Sequence, residues 1–287
     1  MPPTYRKAPP YKNVIVAIDG SDLAIVAVQG AAQLANRTGA ELHIFHAALA
    51  AGVDGQIFES AIAVLADQPY TLTREVSTPN TNPAAMIASY AVEIGDAVVA
   101  LGTHGRGGLG TALLGSTALD LVTATDLTLL AYGPSAAPPA AIERVIACVD
   151  GSEFSELSLG EGARWALALQ VPLWLVQVVP PGLPQYVAVF ENTYVHNLAK
   201  DIASPSLQLE WEVLHSLTPA RALLESFGED HANLIVMATH GRRGLSRLRL
   251  GSVATEVVRG SWGPLILVPP ARSQSVLPHG DDFPASE

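Results

Sequence analysis

Short apolar runs alternate along this chain with longer stretches in which apolar residues recur every three or four positions. Val14–Ile18 is a continuous apolar run of the length of a buried strand. Ser21–Arg37 carries helical periodicity and stops at Gly39. A second strand is predicted over Glu41–Ala47, a helix within Asp54–Ala66, and a third strand over Thr71–Val76. Then come a helix over Ala84–Ile94, a strand over Ala97–Leu101, a helix over Ser116–Thr123 and a fifth strand over Leu127–Tyr132. The second half repeats the alternation, with strands near 145–149, 172–179, 207–214, 234–238 and 264–268. Strands that alternate with helices require crossover connections, so each half should form a parallel sheet with helices on both faces.

The halves match in residues as well as in period. Val14-Ile-Val-Ala-Ile-Asp-Gly-Ser21 returns as Val145-Ile-Ala-Cys-Val-Asp-Gly-Ser152, 131 residues on. Ala100-Leu-Gly-Thr-His-Gly-Arg106 returns as Val236-Met-Ala-Thr-His-Gly-Arg242, 136 residues on, and Leu114-Gly-Ser116 returns as Leu250-Gly-Ser252 at the same spacing. Three blocks in one order, with a small drift between the first and second, identify a duplication. The seam lies in Gly133–Ala141, whose prolines cannot continue a helix or a central strand. The expected domains are therefore 1–141, ending in that linker, and 142–287, ending in a polar, proline-containing tail that reads as disordered after about 270.

Composition narrows the function classes. Hydrophobic residues make up 49% of the 287 and charged residues 15%, ample material for two buried cores. A formal net charge of −11 opposes a nucleic-acid partner, whose phosphates need an excess of Lys and Arg. The single cysteine, Cys148, excludes an intrachain disulfide and sits in an apolar run that reads as core. The first residues have no apolar segment of signal-peptide type, and no run of 18 apolar residues exists. A cytoplasmic protein without a membrane span is expected.

The chemistry gathers at strand ends. In open parallel sheets, ligands bind beyond the carboxyl ends of the strands, where strand order reverses. Asp19 and Asp150 end the first strand of each copy. After the fourth strand, copy one has Gly102-x-x-Gly105, nine residues, then Gly115-Ser116; copy two has Ala238-x-x-Gly241, nine residues, then Gly251-Ser252. Glycines let backbone N–H groups approach phosphate oxygens, and a helix opening at Ser116-Thr117 or Ser252-Val253 presents free N–H groups and a favourable dipole. Taken singly, Gly105 and Gly241 would be turn residues, Ser116 and Ser252 helix caps, and Asp19 and Asp150 turn formers. The same spacing kept twice, while the intervening residues differ, favours a phosphate cradle. Gly105–Gly110 also matches a dinucleotide fingerprint, but it follows the wrong strand and is not repeated.

Together, Val-x-Ile-Asp-Gly-Ser and Gly-Thr-His-Gly-Arg with Gly-Ser nine residues after the second glycine resemble the universal stress protein family in its tandem form, over roughly residues 12–133 and 143–269. The resemblance implies two doubly wound α/β domains, each a five-stranded parallel sheet of order 3-2-1-4-5 with helices on both faces. It implies that ATP, or ADP or AMP, binds between strands one and four, with Mg2+ alongside a triphosphate. Carried over, Asp19, Ala47, Gly102, Gly105, Gly115, Ser116 and Thr117 would form the first site. Asp150, Val178, Gly241, Gly251, Ser252 and Val253 would form the second. The aspartate and the backbone ending the second strand would hold adenine, and the glycine loop would hold ribose and phosphates. Family members pair through their fifth strands, so the two copies would form a pseudo-dimer within one chain, and a homodimer and a protein partner are further expectations.

The copies are not equivalent. Ala238 replaces Gly102, where its methyl would crowd the ribose or first phosphate, whereas Arg242, Arg243, Arg247 and Arg249 add cations where copy one has Arg106. His104 and His240 invite a general-base role in slow ATP hydrolysis, yet no carboxylate sits at a matching spacing in both copies. His43 and His46 lie three apart on a strand and so face opposite ways, which excludes a shared metal. The expected role is regulatory: nucleotide occupancy would bias conformation or association in a stress response. A scaffold without nucleotide and a slow ATPase are the alternatives.

Overall fold

The computed structural model describes residues 9–48, 55–65, 69–76, 82–104, 114–137, 141–182, 185–239 and 250–269, and of residues 76 and 185–192 the backbone alone. The first half runs β1 (Asn13–Ala17), α1 (Asp22–Thr38), β2 (Glu41–Ala48), α2 (Gly55–Ile62), β3 (Thr71–Val76), α3 (Pro83–Ile94), β4 (Ala97–Gly102), α4 (Ser116–Ala124) and β5 (Leu129–Tyr132). The second runs β6 (Arg144–Val149), α5 (Glu153–Leu169), β7 (Leu173–Val179), α6 (Gln185–Asp201), β8 (Leu209–His215) and α7 (Pro219–Leu223), which a π-helical turn over Leu224–Gly228 continues. It closes with β9 (Asn233–Ala238), α8 (Ser252–Gly260) and β10 (Leu265–Val268).

Among the described residues ten strands form one sheet, in the order β3-β2-β1-β4-β5-β10-β9-β6-β7-β8. Each half has the 3-2-1-4-5 order, with every pair inside a half parallel. The halves join where β5 and β10 run antiparallel, with Ile266 opposite Leu130. That pairing covers two short apolar edges inside one chain.

Period-2 alternation sorts the strands onto two cores. Val14 and Val16 face a core with α1, α2, α5 and α6, whereas Ile15 faces the other, with α3, α4, α7 and α8. Each core is continuous across the seam. Helix α1 begins at a serine cap, Ser21 Oγ accepting from Ala24 N at 3.2 Å, and ends at Gly39 with φ of 78°. Helix α5 repeats the serine cap with Ser152 and Ser155 N at 3.2 Å.

Cross-seam bonds come from residues with no repeat. Arg37, at the end of α1, donates to the carbonyls of Ile142 at 2.6 Å and Leu169 at 2.9 Å. From α5, Arg164 donates to the Pro10 carbonyl and lies 4.9 Å from the Tyr11 ring centre, while Tyr11 packs beside the buried Trp165. Among the described residues, no helix is long and apolar enough to cross a membrane. The tail expected to be disordered lies outside the described residues.

Candidate functional site

Neighbouring β1 and β4 make a switch point in copy one, because α1 leaves toward one face and α4 toward the other. Ala17 is level with Leu101, so Asp19 and Thr103 come together beyond the strand ends. In copy two Cys148 is level with Met237, which brings Asp150 and Thr239 together in the same way.

The two aspartates build one turn twice. Asp19 Oδ1 accepts from Ser21 N at 2.9 Å and from Ser21 Oγ at 2.6 Å, and Asp150 Oδ1 accepts from Ser152 N at 3.0 Å and Oγ at 2.6 Å. Gly20 and Gly151, at φ of 78° and 82°, supply the left-handed backbone between them. One carboxylate oxygen thus fixes the turn into the helix in each copy. Asp19 is exposed and Asp150 half-buried.

After the fourth strand of each half, Gly115 and Gly251 occupy the cap positions of α4 and α8, and no side chain caps either helix. Ser116 and Ser252 are therefore first-turn residues and not caps, and both are exposed. Thr117 and Val253 follow, half-buried. First-turn N–H groups have no partner within a helix, so the opening of each helix presents backbone donors. Each connection from the fourth strand is pinned at its base: Gly115 N donates to Thr103 O at 2.6 Å and Gly251 N to Thr239 O at 2.8 Å. A Cβ on Gly115 would lie 3.0 Å from that Thr103 oxygen, which gives the glycine a physical reason. The buried threonines were not singled out from the sequence, although Thr-His-Gly is repeated in both copies.

Gly102 ends β4, where a Cβ would meet Leu23 Cγ of α1 at 2.9 Å. Its glycine thus has a helix-packing reason, and Ala238 sits at the matching end of β9 with Phe154 in Leu23's place on α5. Ala47 and Val178 lie half-buried near the ends of β2 and β7. Gly105, Gly241, His240 and the arginines at 106, 242, 243, 247 and 249 lie outside the described residues.

Of the other candidates, His43, His46 and Cys148 are buried in the core. His104 Nδ1 lies 3.1 Å from Thr103 Oγ1. His43 and His46 are both buried and face opposite sides of β2: His43 contacts Tyr90 and Asn13, and His46 Nδ1 contacts the Ile18 carbonyl at 2.8 Å. Burial pushes the Cys148 thiol up to about 12, so it stays protonated in the core. Among the described residues, no group of three His, Cys, Asp or Glu side chains is placed to hold a metal.

A doubly wound α/β unit built twice in one chain, its two halves joined in one sheet, defines a tandem α/β protein. The chain belongs to the universal stress protein family, whose model matches residues 10–132 and 141–269. A universal stress protein of Mycobacterium tuberculosis is 30% identical over 219 residues, covering 71% of this chain and 71% of that protein. Another, of Mycolicibacterium smegmatis, is 30% identical over 185 residues, and the match spans 60% of this chain and 62% of that relative's length. The crystal structure of a universal stress protein from Archaeoglobus fulgidus shares the fold at a TM-score of 0.63 and 15% identity, over 91% of this chain and 99% of that one.

Proposed function

We propose that this chain binds ATP at each of its two switch points and acts as a nucleotide-responsive regulator. The observation that carries the reading is the uncapped opening of α4 and of α8, each behind a glycine whose N–H is tied to the end of the preceding strand. Such an opening suits an anion, and the carboxylate turn at the end of the neighbouring strand suits an amino group. In the first copy Gly102, Gly105, Gly115, Ser116 and Thr117 would take ribose and phosphates, and Asp19 and Ala47 the adenine. In the second, Gly241, Gly251, Ser252 and Val253 would take ribose and phosphates, and Asp150 and Val178 the adenine. ADP and AMP would occupy the same places, and Mg2+ would enter with a triphosphate as its counter-ion.

Ser116→Asp and Ser252→Asp test this cleanly. A carboxylate in the first turn favours the helix while repelling phosphate at the same point. Calorimetric titration with ATP should lose one binding step in each single variant and both in the double variant, with melting temperatures at or above the parent's. Unchanged ATP binding by the double variant refutes the reading.

Nucleotide occupancy would act through conformation or association in the cytoplasm, with an unidentified protein as the receiver. A homodimer would need a surface other than β5 and β10, which are consumed internally. One observation favours a scaffold without nucleotide: Oδ1 of each aspartate already has a structural task in its turn.

A further inference from the structure

The two carboxylate turns share a shape but are held differently from beneath. In copy two, Asp150 N donates to Ser155 Oγ at 3.0 Å, and the same hydroxyl donates to Ser152 O at 2.8 Å. One turn further along α5, Ser158 Oγ donates to Cys148 O at 2.7 Å, which ties the helix to the end of β6. Ser155 and Ser158 are 4% and 0% exposed, so these bonds are shielded from competing water. The α5 start is braced from outside as well, Tyr194 of α6 donating to Glu156 Oε1 at 3.0 Å. Copy one has Ala24 and Ala27 at the corresponding positions of α1, which offer no oxygen to the Asp19 turn. There His46 Nδ1 contacts the Ile18 carbonyl at 2.8 Å and so holds the strand end. The Asp19 turn itself rests on the carboxylate's own two bonds, which are exposed to solvent.

We propose that the second copy carries the tighter, more base-selective nucleotide site, and that Ser155 is the positioning residue that makes it so. This rests on the reading that Asp150 meets the adenine. Ser155 itself touches no nucleotide. It holds the Asp150 backbone, and hence the carboxylate's direction, before the ligand arrives. A turn already held in its bound form loses less conformational freedom on binding. Discrimination of adenine from guanine benefits most, because it depends on where one carboxylate oxygen points.

Each site can be read alone in the full-length chain, using Ser116→Asp to silence the first and Ser252→Asp to silence the second. Titration with ATP and GTP should give tighter ATP binding, and a larger ATP-to-GTP ratio, when the second site is the one left active. Adding Ser155→Ala should weaken ATP binding at that site roughly five- to tenfold, the effect of one hydrogen bond, and lower the ratio. Ser155→Thr, which keeps a hydroxyl, should restore both. Ala24→Ser should strengthen the first site, and Ser155→Ala should leave the first site unchanged. A destabilised helix would weaken affinity without favouring one base over the other, so the ratio separates positioning from folding. Equal affinity at the two sites, or an unchanged ratio in Ser155→Ala, overturns this inference while leaving nucleotide binding intact. Failure of the parent chain to bind ATP at all overturns both.

Discussion

His43 shows how a residue that resembles a ligand is absorbed by the core. Asn13 Nδ2 donates to the Gly95 carbonyl at 2.8 Å, so its Oδ1 is left to accept from His43 Nε2 at 3.0 Å. Nδ1 then accepts from the Tyr90 hydroxyl at 2.9 Å, and Tyr90 accepts from Thr73 Oγ1 at 3.0 Å. With these roles every member is satisfied by a neutral imidazole. Burial lowers the His43 pKa below its usual 6.5, against a smaller opposing pull from Glu41. A lowered histidine pKa means that the unfolded chain binds the extra proton first, so stability falls as pH drops through about 6.5 toward the folded value. Melting temperatures from pH 8 to pH 5 should decline less steeply in His43→Gln than in the parent. Parallel declines would show that His43 has no part in the acid sensitivity.

At the scale of elements, Gly102 ties the first helix to the fourth strand. Gly102→Ala would force Leu23 aside by a few tenths of an ångström, and part of that contact is Leu23 backbone, with its carbonyl carbon 3.2 Å from the new methyl. A loss of about 1–2 kcal/mol is expected in denaturant unfolding, larger than for Ala238→Gly in copy two, where the helix start has formed around an alanine; equal losses would remove the packing explanation. The strand–helix alternation was legible because buried parallel strands are continuous apolar runs and the duplication showed each of them twice. The α2 helix, Gly55–Ile62, falls inside the Asp54–Ala66 window, whereas a boundary slipped where the pattern fades: β5 begins at Leu129 although the apolar run starts at Leu127. The π-helical turn after α7 had no signal at all. At the site, motif spacing disclosed the aspartates and the glycine-serine openings. It did not disclose that glycine and not serine caps α4 and α8, or that Ser155 holds the Asp150 turn, since both depend on atoms brought together by folding.

Over the whole molecule the two copies are one body. They share a continuous sheet and both cores, and Arg37 bonds backbone oxygens 105 and 132 residues away in sequence. Those separations are invisible to repeat analysis, because the second copy has Ala168 in Arg37's place. Scanning calorimetry should therefore record one unfolding transition for both copies. Arg37→Ala should lower its midpoint by several degrees, consistent with about 2 kcal/mol for two charge-assisted bonds in a chain of this size. Two separated transitions in the parent would contradict a single cooperative unit. That unity also puts the β1–β4 and β6–β9 strand ends on one continuous sheet. The most direct test of the account is mass spectrometry of the freshly purified protein after denaturation, run beside the Ser116→Asp, Ser252→Asp double variant. The parent should release ATP, ADP or AMP, and the folded double variant none. Equal release from the two proteins, or no nucleotide from the parent together with no saturable uptake of added ATP, would contradict it.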